Sequence, residues 1–259
     1  GPDLMSDLCW FLEHVRRVPV KTARDGEVYK AGLKRIQDGF VTRETVLAGP
    51  AEVWAEVRGA AEHLALAAAD GEGFLEVRPE AERFVRLPLE RKIQELYRLA
   101  LEQAGPAGRS LHQHELRKVL AETLAAEPER WWWGRSLATV TRHRYLSTLD
   151  QRGIKERHRD RFFSAYFSGR ETLSDLLGEL ESYWLPRLYL FGLVDAAVEP
   201  GPSGERVGAW RLSALGARLF GSGGPEVATG VMPLRVNPDF EVVVLPEGDV
   251  SDVVHRLDG

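Results

Sequence analysis

The chain has 259 residues, of which 44% are hydrophobic and 28% charged, with a formal net charge of −5. This length allows a buried core divided over two or three modules. No apolar run approaches the roughly 18 residues that a membrane-spanning helix needs, and the N-terminus lacks the pattern of a signal peptide. The single cysteine, Cys9, excludes an internal disulfide and favours a reducing cytoplasm. We therefore expect a soluble, cytoplasmic protein, whose binding to nucleic acid would need a local concentration of basic residues.

Helical spacing of apolar residues predicts the first elements. Ser6 is placed to cap a first helix, whose buried stripe comprises Leu8, Phe11, Leu12 and Val15. A second helix follows the turn "RDG" and carries an apolar stripe formed by Tyr29, Leu33 and Ile36. A third helix is expected over about residues 51–69. The turn "DGEG" and the short strand "FLEV" then complete a module of helices followed by a hairpin.

The middle of the chain repeats this theme with longer helices. Pro88 suits a first helical turn, and the stripe behind it consists of Leu89, Ile93, Leu96, Tyr97 and Ala100. Ser110 and Gln113 form a capping box for the next helix, whose apolar side chains are Leu116, Val119, Leu120 and Leu124. A further stripe comprises Leu173, Leu176, Leu177, Leu180 and Trp184. Pro186 then begins a short helix that ends at Gly192.

The stretch "GLVDAAVEPGPSGERVGAWRLSALG", residues 192–216, predicts a two-stranded hairpin directly after that helix. A lone hairpin is marginally stable in water, so it must pack against the preceding helices. Helices followed by such a hairpin are typical of the winged helix, a variant of the helix-turn-helix. The same pattern also occurs in other α+β proteins and in winged helices that bind only proteins.

The predicted fold class is mainly α with small β hairpins (α+β), built of tandem winged-helix-like modules and the start of a small α/β domain. The first module covers residues 1–87, and a helical region ending in the second covers residues 88–224. Residues 225–259 predict the strand, turn, strand and helix of a third domain, with Pro238 in a type I turn. We expect that domain to continue beyond residue 259.

Three separated tracts together carry a resemblance to a known family. They are "VPVKTARDGEVYKAGLKRI" at 18–36, "GLV" with "RLS" and Gly216 around the hairpin, and "MPLRVNPDFEVVVLPEGD" at 232–249. These tracts resemble the helicase-associated domain family related to the N-terminal part of XPB-type helicases. The resemblance implies a role beside a DNA helicase or in DNA repair.

Catalytic patterns are missing from the sequence. No phosphate-binding loop of the form G-x-x-x-x-G-K-[ST] occurs, so we expect no ATPase activity. His112 and His114 would point about 200° apart on a helix, which disfavours a metal site with Glu115. Cys9 lies among apolar residues, where a buried, inert thiol is the expected state. We predict a protein without enzymatic activity, cofactor or metal.

Two runs concentrate basic charge on this acidic chain. Residues 142–170 contain eight Lys and Arg against three Asp and Glu, and residues 14–43 contain the same numbers. Aromatic residues lie within the first of these runs, as in proteins that stack bases while cations follow the phosphates. The other interpretation is a solvated helix face with a core of aromatic side chains. The candidate nucleic-acid-binding residues are Arg142, Arg144, Arg152, Lys155, Arg157, Arg159, Arg161, Lys30, Lys34, Arg35 and, in the hairpin, Arg206.

The run "RWWWGR" contains Trp131, Trp132 and Trp133. Consecutive helical residues are about 100° apart, so the three rings cannot all face one core. They either wedge between two modules or supply a docking hot spot for a partner protein.

Two hypotheses follow from these patterns. The first is a non-catalytic DNA-binding accessory module that contacts duplex or forked DNA without sequence preference and acts with a helicase or in DNA repair. The second is a protein-interaction scaffold that uses the same fold to recruit a helicase or another protein. Phosphate binding weakens steeply with salt, whereas apolar docking does not.

Overall fold

The structure is a computed structural model. It describes residues 2–42, 45, 47–103, 111–149, 177–201, 204–221, 234–236 and 242–244. Mainly helical elements with small antiparallel sheets confirm the predicted α+β class. The chain divides into two compact units, residues 1–96 with 225–259 and residues 97–224. The domain borders expected from the sequence stay predictions.

The first unit begins with three helices and a hairpin. Its elements are α1 (Leu4–Arg17), α2 (Lys30–Asp38), α3 (Pro50–His63), β1 (Ala67–Ala69), β2 (Leu75–Val77), α4 (Pro79–Val85) and the start of α5 (Leu89–Glu102). Its core contains the fully buried Leu8, Ile36 and Val57, one from each of the first three helices.

A third extended segment joins the hairpin of this unit. β1 and β2 pair antiparallel, with Ala68 opposite Glu76. On the other side of β2, the Leu75 N–H donates to the Val20 carbonyl at 2.9 Å, and the Thr22 N–H donates to the Gly73 carbonyl at 2.7 Å. The spatial order is therefore segment 20–22, β2, β1, and the last strand in sequence lies in the middle.

The second unit contains the end of α5 and the next helices and strands. Its elements are α6 (Leu111–Ala126), β3 (Trp132–Trp133), α7 (Gly134–Leu149), a π-helical turn (Leu180–Trp184), α8 (Leu185–Leu190), β4 (Val194–Gly201), β5 (Gly204–Leu212) and α9 (Ala214–Leu219). β4 and β5 form the hairpin predicted from the sequence, with Val194 opposite Leu212. Two further strands, β6 (Leu234–Val236) and β7 (Val242–Val244), pair antiparallel in the C-terminal residues 225–259, which are grouped with the first unit.

The sheet of the second unit repeats the arrangement of the first. β3 pairs with β5 through Trp132 and Trp210, which gives the order β3, β5, β4. Both units therefore run helix, extended segment, further helices, strand, turn, strand, and both place the last strand in the middle. Both hairpins are predicted by the sequence, whereas the extended segment that completes each sheet is not.

Several element boundaries differ from the predictions, and each difference has a local cause. Asp3, not Ser6, caps α1, because its carboxylate accepts the Ser6 N–H at 3.0 Å. The third helix ends at His63, since Ala65 adopts a positive φ of 54° and the chain turns into β1. Tyr29 is not a core residue, because it precedes α2 as its N-cap and is exposed.

The helix before the hairpin contains a π turn just ahead of Pro186. Proline has no N–H to donate and its ring crowds the carbonyl four residues earlier. The Leu185 N–H instead donates to the Leu180 carbonyl, five residues back, and this widened turn precedes α8. The short helix predicted at Pro186 is therefore present, and the chain enters it directly from the π turn.

Gly216 is required by close packing of α9 on the turn between α8 and β4. A Cβ atom at this position would overlap the backbone carbonyl of Leu193 and crowd the Leu212 side chain. The Ser213 side chain caps α9 by accepting the Gly216 N–H at 3.0 Å, and its hydroxyl donates to the Gly192 carbonyl at 2.6 Å. The "GLV" and "RLS" tracts are therefore in contact, through the hydrogen bond from Ser213 to Gly192 and the close approach of Gly216 to Leu193.

The fully buried Arg117 of α6 connects three segments of the second unit. Its Nη1 donates to the carbonyls of Ala100 at 3.1 Å and Gln103 at 2.8 Å, at the end of α5. Its Nη2 lies 2.9 Å from Oε1 of the buried Glu179, and its guanidinium stacks 4.5 Å from the centre of the Trp184 ring. Helix C-termini leave carbonyls without helical partners, and Arg117 supplies donors to them.

We expect Glu179→Ala to lower the free energy of unfolding by about 3–5 kcal/mol, because it leaves a buried guanidinium without its carboxylate. The double variant Arg117→Met, Glu179→Ala should lose less than the sum of the losses of the single variants Arg117→Met and Glu179→Ala. It should still lie below wild type, since the α5 carbonyls then lack a donor. Urea unfolding of all four proteins followed by circular dichroism measures the coupling, and strictly additive losses would contradict it.

Candidate nucleic-acid interface

Helix α2 presents three cations to solvent. Ile36 is buried and fixes the inward side of the helix, while Lys30, Lys34 and Arg35 are exposed. Among the described residues, none of these three forms an ion pair or a side-chain hydrogen bond. We call Lys30, Lys34 and Arg35 the α2 basic face.

Two other arginines of this unit, Arg17 and Arg58, are paired with acids, so their charge is compensated. Arg17 lies 2.5 Å from Glu13 within α1. Arg58 of α3 lies 2.6 Å from Glu27 and 2.7 Å from Glu62. The α2 basic face differs from these side chains in carrying unbalanced charge.

Helix α3, which follows α2, is acidic. Its acidic side chains are Glu52, Glu56 and Glu62, against the single arginine Arg58. Glu52 and Glu62 are exposed, and the single arginine is engaged by two carboxylates. This surface would repel phosphate groups.

An exposed tryptophan lies at the C-terminal end of α2. The Trp10 Nε1 donates to the Ile36 carbonyl at 3.1 Å, and its ring covers Gly39, where any Cβ atom would overlap it. The ring is nevertheless 39% exposed. Trp10 lies outside the stripe of residues that α1 buries.

His14 packs beside this tryptophan, with the ring centres 5.8 Å apart. Partial burial, together with the positive charge of Arg35, holds the pKa of His14 below its usual value. The imidazole is therefore neutral near pH 7. The charge of Arg35 is therefore close to His14, which itself packs against Trp10.

A second aromatic side chain lies at the other end of α2. Tyr29 is the N-cap residue and is 53% exposed. Its N–H donates to the Lys21 carbonyl at 3.3 Å, which ties its backbone to the extended segment. The α2 basic face is thus flanked along the helix by Tyr29 and Trp10.

The candidate residues of the second unit fall into three groups. Arg142 and Arg144 are exposed on α7, and Arg144 makes a long contact of 3.4 Å to the Thr123 hydroxyl. Arg206 on β5 is exposed, but its Nη2 lies 2.7 Å from Glu199, so its charge is compensated. The predicted residues outside the described ranges are Arg152, Lys155, Arg157, Arg159 and Arg161.

The three tryptophans alternate between core and solvent, as side chains along an extended strand do, and they are not part of a helix. Trp132 faces the core with an exposed fraction of 4%, while Trp131 and Trp133 are 42% and 60% exposed. The Arg211 guanidinium lies 4.7 Å from the centre of the Trp131 ring, and Trp133 pairs with Ala209. Because Trp132 packs inside the unit, only its two neighbours are placed for docking.

The helical segment before the hairpin presents no exposed cation in its described part, residues 177–190. Arg187 is buried and donates to the Tyr183 hydroxyl at 3.0 Å. Glu179 is engaged by Arg117, and Glu181 is exposed. As in the first unit, the helix that leads into the hairpin lacks a basic surface.

Comparisons of the chain with protein-family models, with curated proteins and with solved structures give no match. Within the described ranges, no group of three His, Cys, Asp or Glu side chains is arranged to hold a metal ion. None of the helices in that part of the chain is long and apolar enough to cross a membrane.

We expect Trp132→Ala to lower the free energy of unfolding by about 3–5 kcal/mol, because it removes a buried indole from the core. Trp133→Ala should change it by less than about 1 kcal/mol, since its ring is largely in water. Thermal unfolding by circular dichroism compares the two variants. Equal losses would show that Trp133 is also a packing residue.

Proposed function

We propose that both units are winged helices and that the chain binds the phosphate backbone of DNA without reading its sequence. The connectivity of the units supports the first part, because each has three extended segments with the last one in the middle. The α2 basic face carries the second part. Its three exposed cations have no acidic partner among the described residues.

The distribution of charge favours backbone contacts over base readout. In a helix-turn-helix, the second helix of the motif enters the major groove while the first crosses the phosphates. Here α2 occupies the place of the first helix and α3 that of the second, and α2 is basic while α3 is acidic. Contacts to phosphate position a protein on DNA but carry no sequence information directly.

A non-catalytic accessory role beside a helicase or in DNA repair completes this proposal. It rests on the resemblance of the three sequence tracts to the helicase-associated domain family. Backbone binding without sequence preference suits such a role, since a helicase partner acts at many sequences.

We expect the triple variant Lys30→Glu, Lys34→Glu, Arg35→Glu to lose affinity for a labelled duplex. Each phosphate contact contributes about 0.9 to the slope of log affinity against log salt, so the slope should flatten by up to about 3. Anisotropy titrations at several salt concentrations measure this slope, with circular dichroism as a check of folding.

The matched control is the triple variant Arg83→Glu, Arg86→Glu, Arg91→Glu. These arginines are exposed in the same unit, so the net charge changes equally. The control should retain the wild-type slope. If both triple variants weaken binding alike, the α2 basic face has no specific role.

The exposed Trp131 and Trp133 favour docking of a protein partner as a second function. Both rings lie on one side of the sheet, beside Ala209 and the ion pair of Arg211 with Asp195 at 2.8 Å. Exposed tryptophans are enriched among binding hot spots.

We expect a partner captured on this surface to remain bound as salt rises, because apolar contacts are not screened. Trp133→Ala should release it, while the α2 triple variant should retain it. Affinity capture at low and high salt, with both variants in parallel, measures this. Release by salt alone would contradict docking through the tryptophans.

A further inference from the structure

We infer that the α2 basic face, together with Tyr29 and Trp10, is a binding site for unpaired nucleotides of a DNA strand. In this site the three cations follow the phosphates and the two rings stack on bases. The inference rests on the proposed function, because it uses the same cations. It goes further by naming single-stranded DNA as the preferred form.

The two rings lie at opposite ends of α2. Tyr29 immediately precedes Lys30, and the Trp10 indole N–H donates a hydrogen bond to the carbonyl of Ile36. The backbone positions that the rings adjoin are therefore about 10 Å apart along the helix axis. The cations of the α2 basic face are carried by the helix between these two ends.

Both rings are exposed to solvent. Tyr29 and Trp10 are among the few large apolar side chains that the described residues leave exposed. Trp10 is also held in place by its hydrogen bond and by its packing on Gly39. A ring that is already ordered loses little conformational entropy when a base stacks on it.

Exposed rings beside cations favour an unpaired strand over duplex DNA. In a duplex the faces of the bases are covered by their neighbours, so exposed rings beside the phosphates find nothing to stack on. An unpaired strand offers both a base face and a phosphate for each nucleotide, and cationic surfaces with aromatic side chains recognise it without sequence preference. The acidic α3 adds a penalty against inserting this unit into a groove.

The first test uses the wild-type protein and three probes of equal length: a labelled oligothymidine, an abasic deoxyribose-phosphate strand and a duplex. We expect the oligothymidine to bind more tightly than the abasic strand by at least about fivefold, the lower limit for stacking of a single base. It should also bind more tightly than the duplex at equal salt. Equal affinity for the oligothymidine and the abasic strand overturns the inference, as does preference for the duplex.

The second test uses Tyr29→Leu and its matched control Tyr29→Phe. The leucine variant should lose at least about fivefold in affinity for the oligothymidine and leave binding of the abasic strand unchanged, because only stacking is removed. The phenylalanine variant keeps the ring and should bind as wild type does. Both substitutions are at an exposed position, and circular dichroism checks that both variants fold.

The outcomes separate this inference from the proposed function. If the α2 triple variant loses all DNA binding while Tyr29→Leu binds every probe as wild type does, backbone binding stands and stacking is wrong. If the α2 triple variant binds every probe as tightly as wild type, the proposed function and this inference both fail.

Discussion

In each unit a buried ionisable side chain, Asp7 on α1 and Arg117 on α6, organises the segments around it. In the second unit Arg117 donates to carbonyls at the end of α5. In the first unit the fully buried Asp7 accepts the N–H groups of Val41 at 2.6 Å and Thr42 at 3.2 Å, just after α2. Burial raises the pKa of Asp7 in spite of these hydrogen bonds, which lower it. Backbone groups that leave a helix must find partners, and each unit meets this requirement with one ionisable side chain.

The parts of the fold that the sequence could predict are those with local signals. The stripe of α1 and the hairpin of β4 and β5 are confirmed because periodicity and turn residues determine them within a few residues. The extended segment 20–22 and the strand β3 have no such signal, because two or three residues cannot show a period. Their pairing joins residues far apart in the sequence. The run Ala67–Ala69 shows the opposite error, since alanine favours a helix but pairing with β2 decides the outcome.

The candidate site was only partly accessible from the sequence for a similar reason. A count of charges found Lys30, Lys34 and Arg35, but the same count selected Arg206, which Glu199 compensates across the hairpin. Pairing depends on which side chains the fold brings together. Tyr29 shows the limit of periodicity, since its spacing fits the stripe of α2 but its place at the N-cap leaves it in water.

The placement of charge on α2 opposes the local stability of that helix. Lys30 and Lys34 are four residues apart, and like charges at this spacing destabilise a helix by about 0.2–0.5 kcal/mol. Lys30 also lies in the first turn, where the positive end of the helix dipole disfavours a cation, and no acidic residue occupies that turn. A phosphate bound beside Lys30 would relieve both penalties, because it places negative charge near the two lysines and the helix N-terminus. The placement of Lys30 and Lys34 therefore destabilises α2 in the free protein and becomes favourable when a polyanion binds.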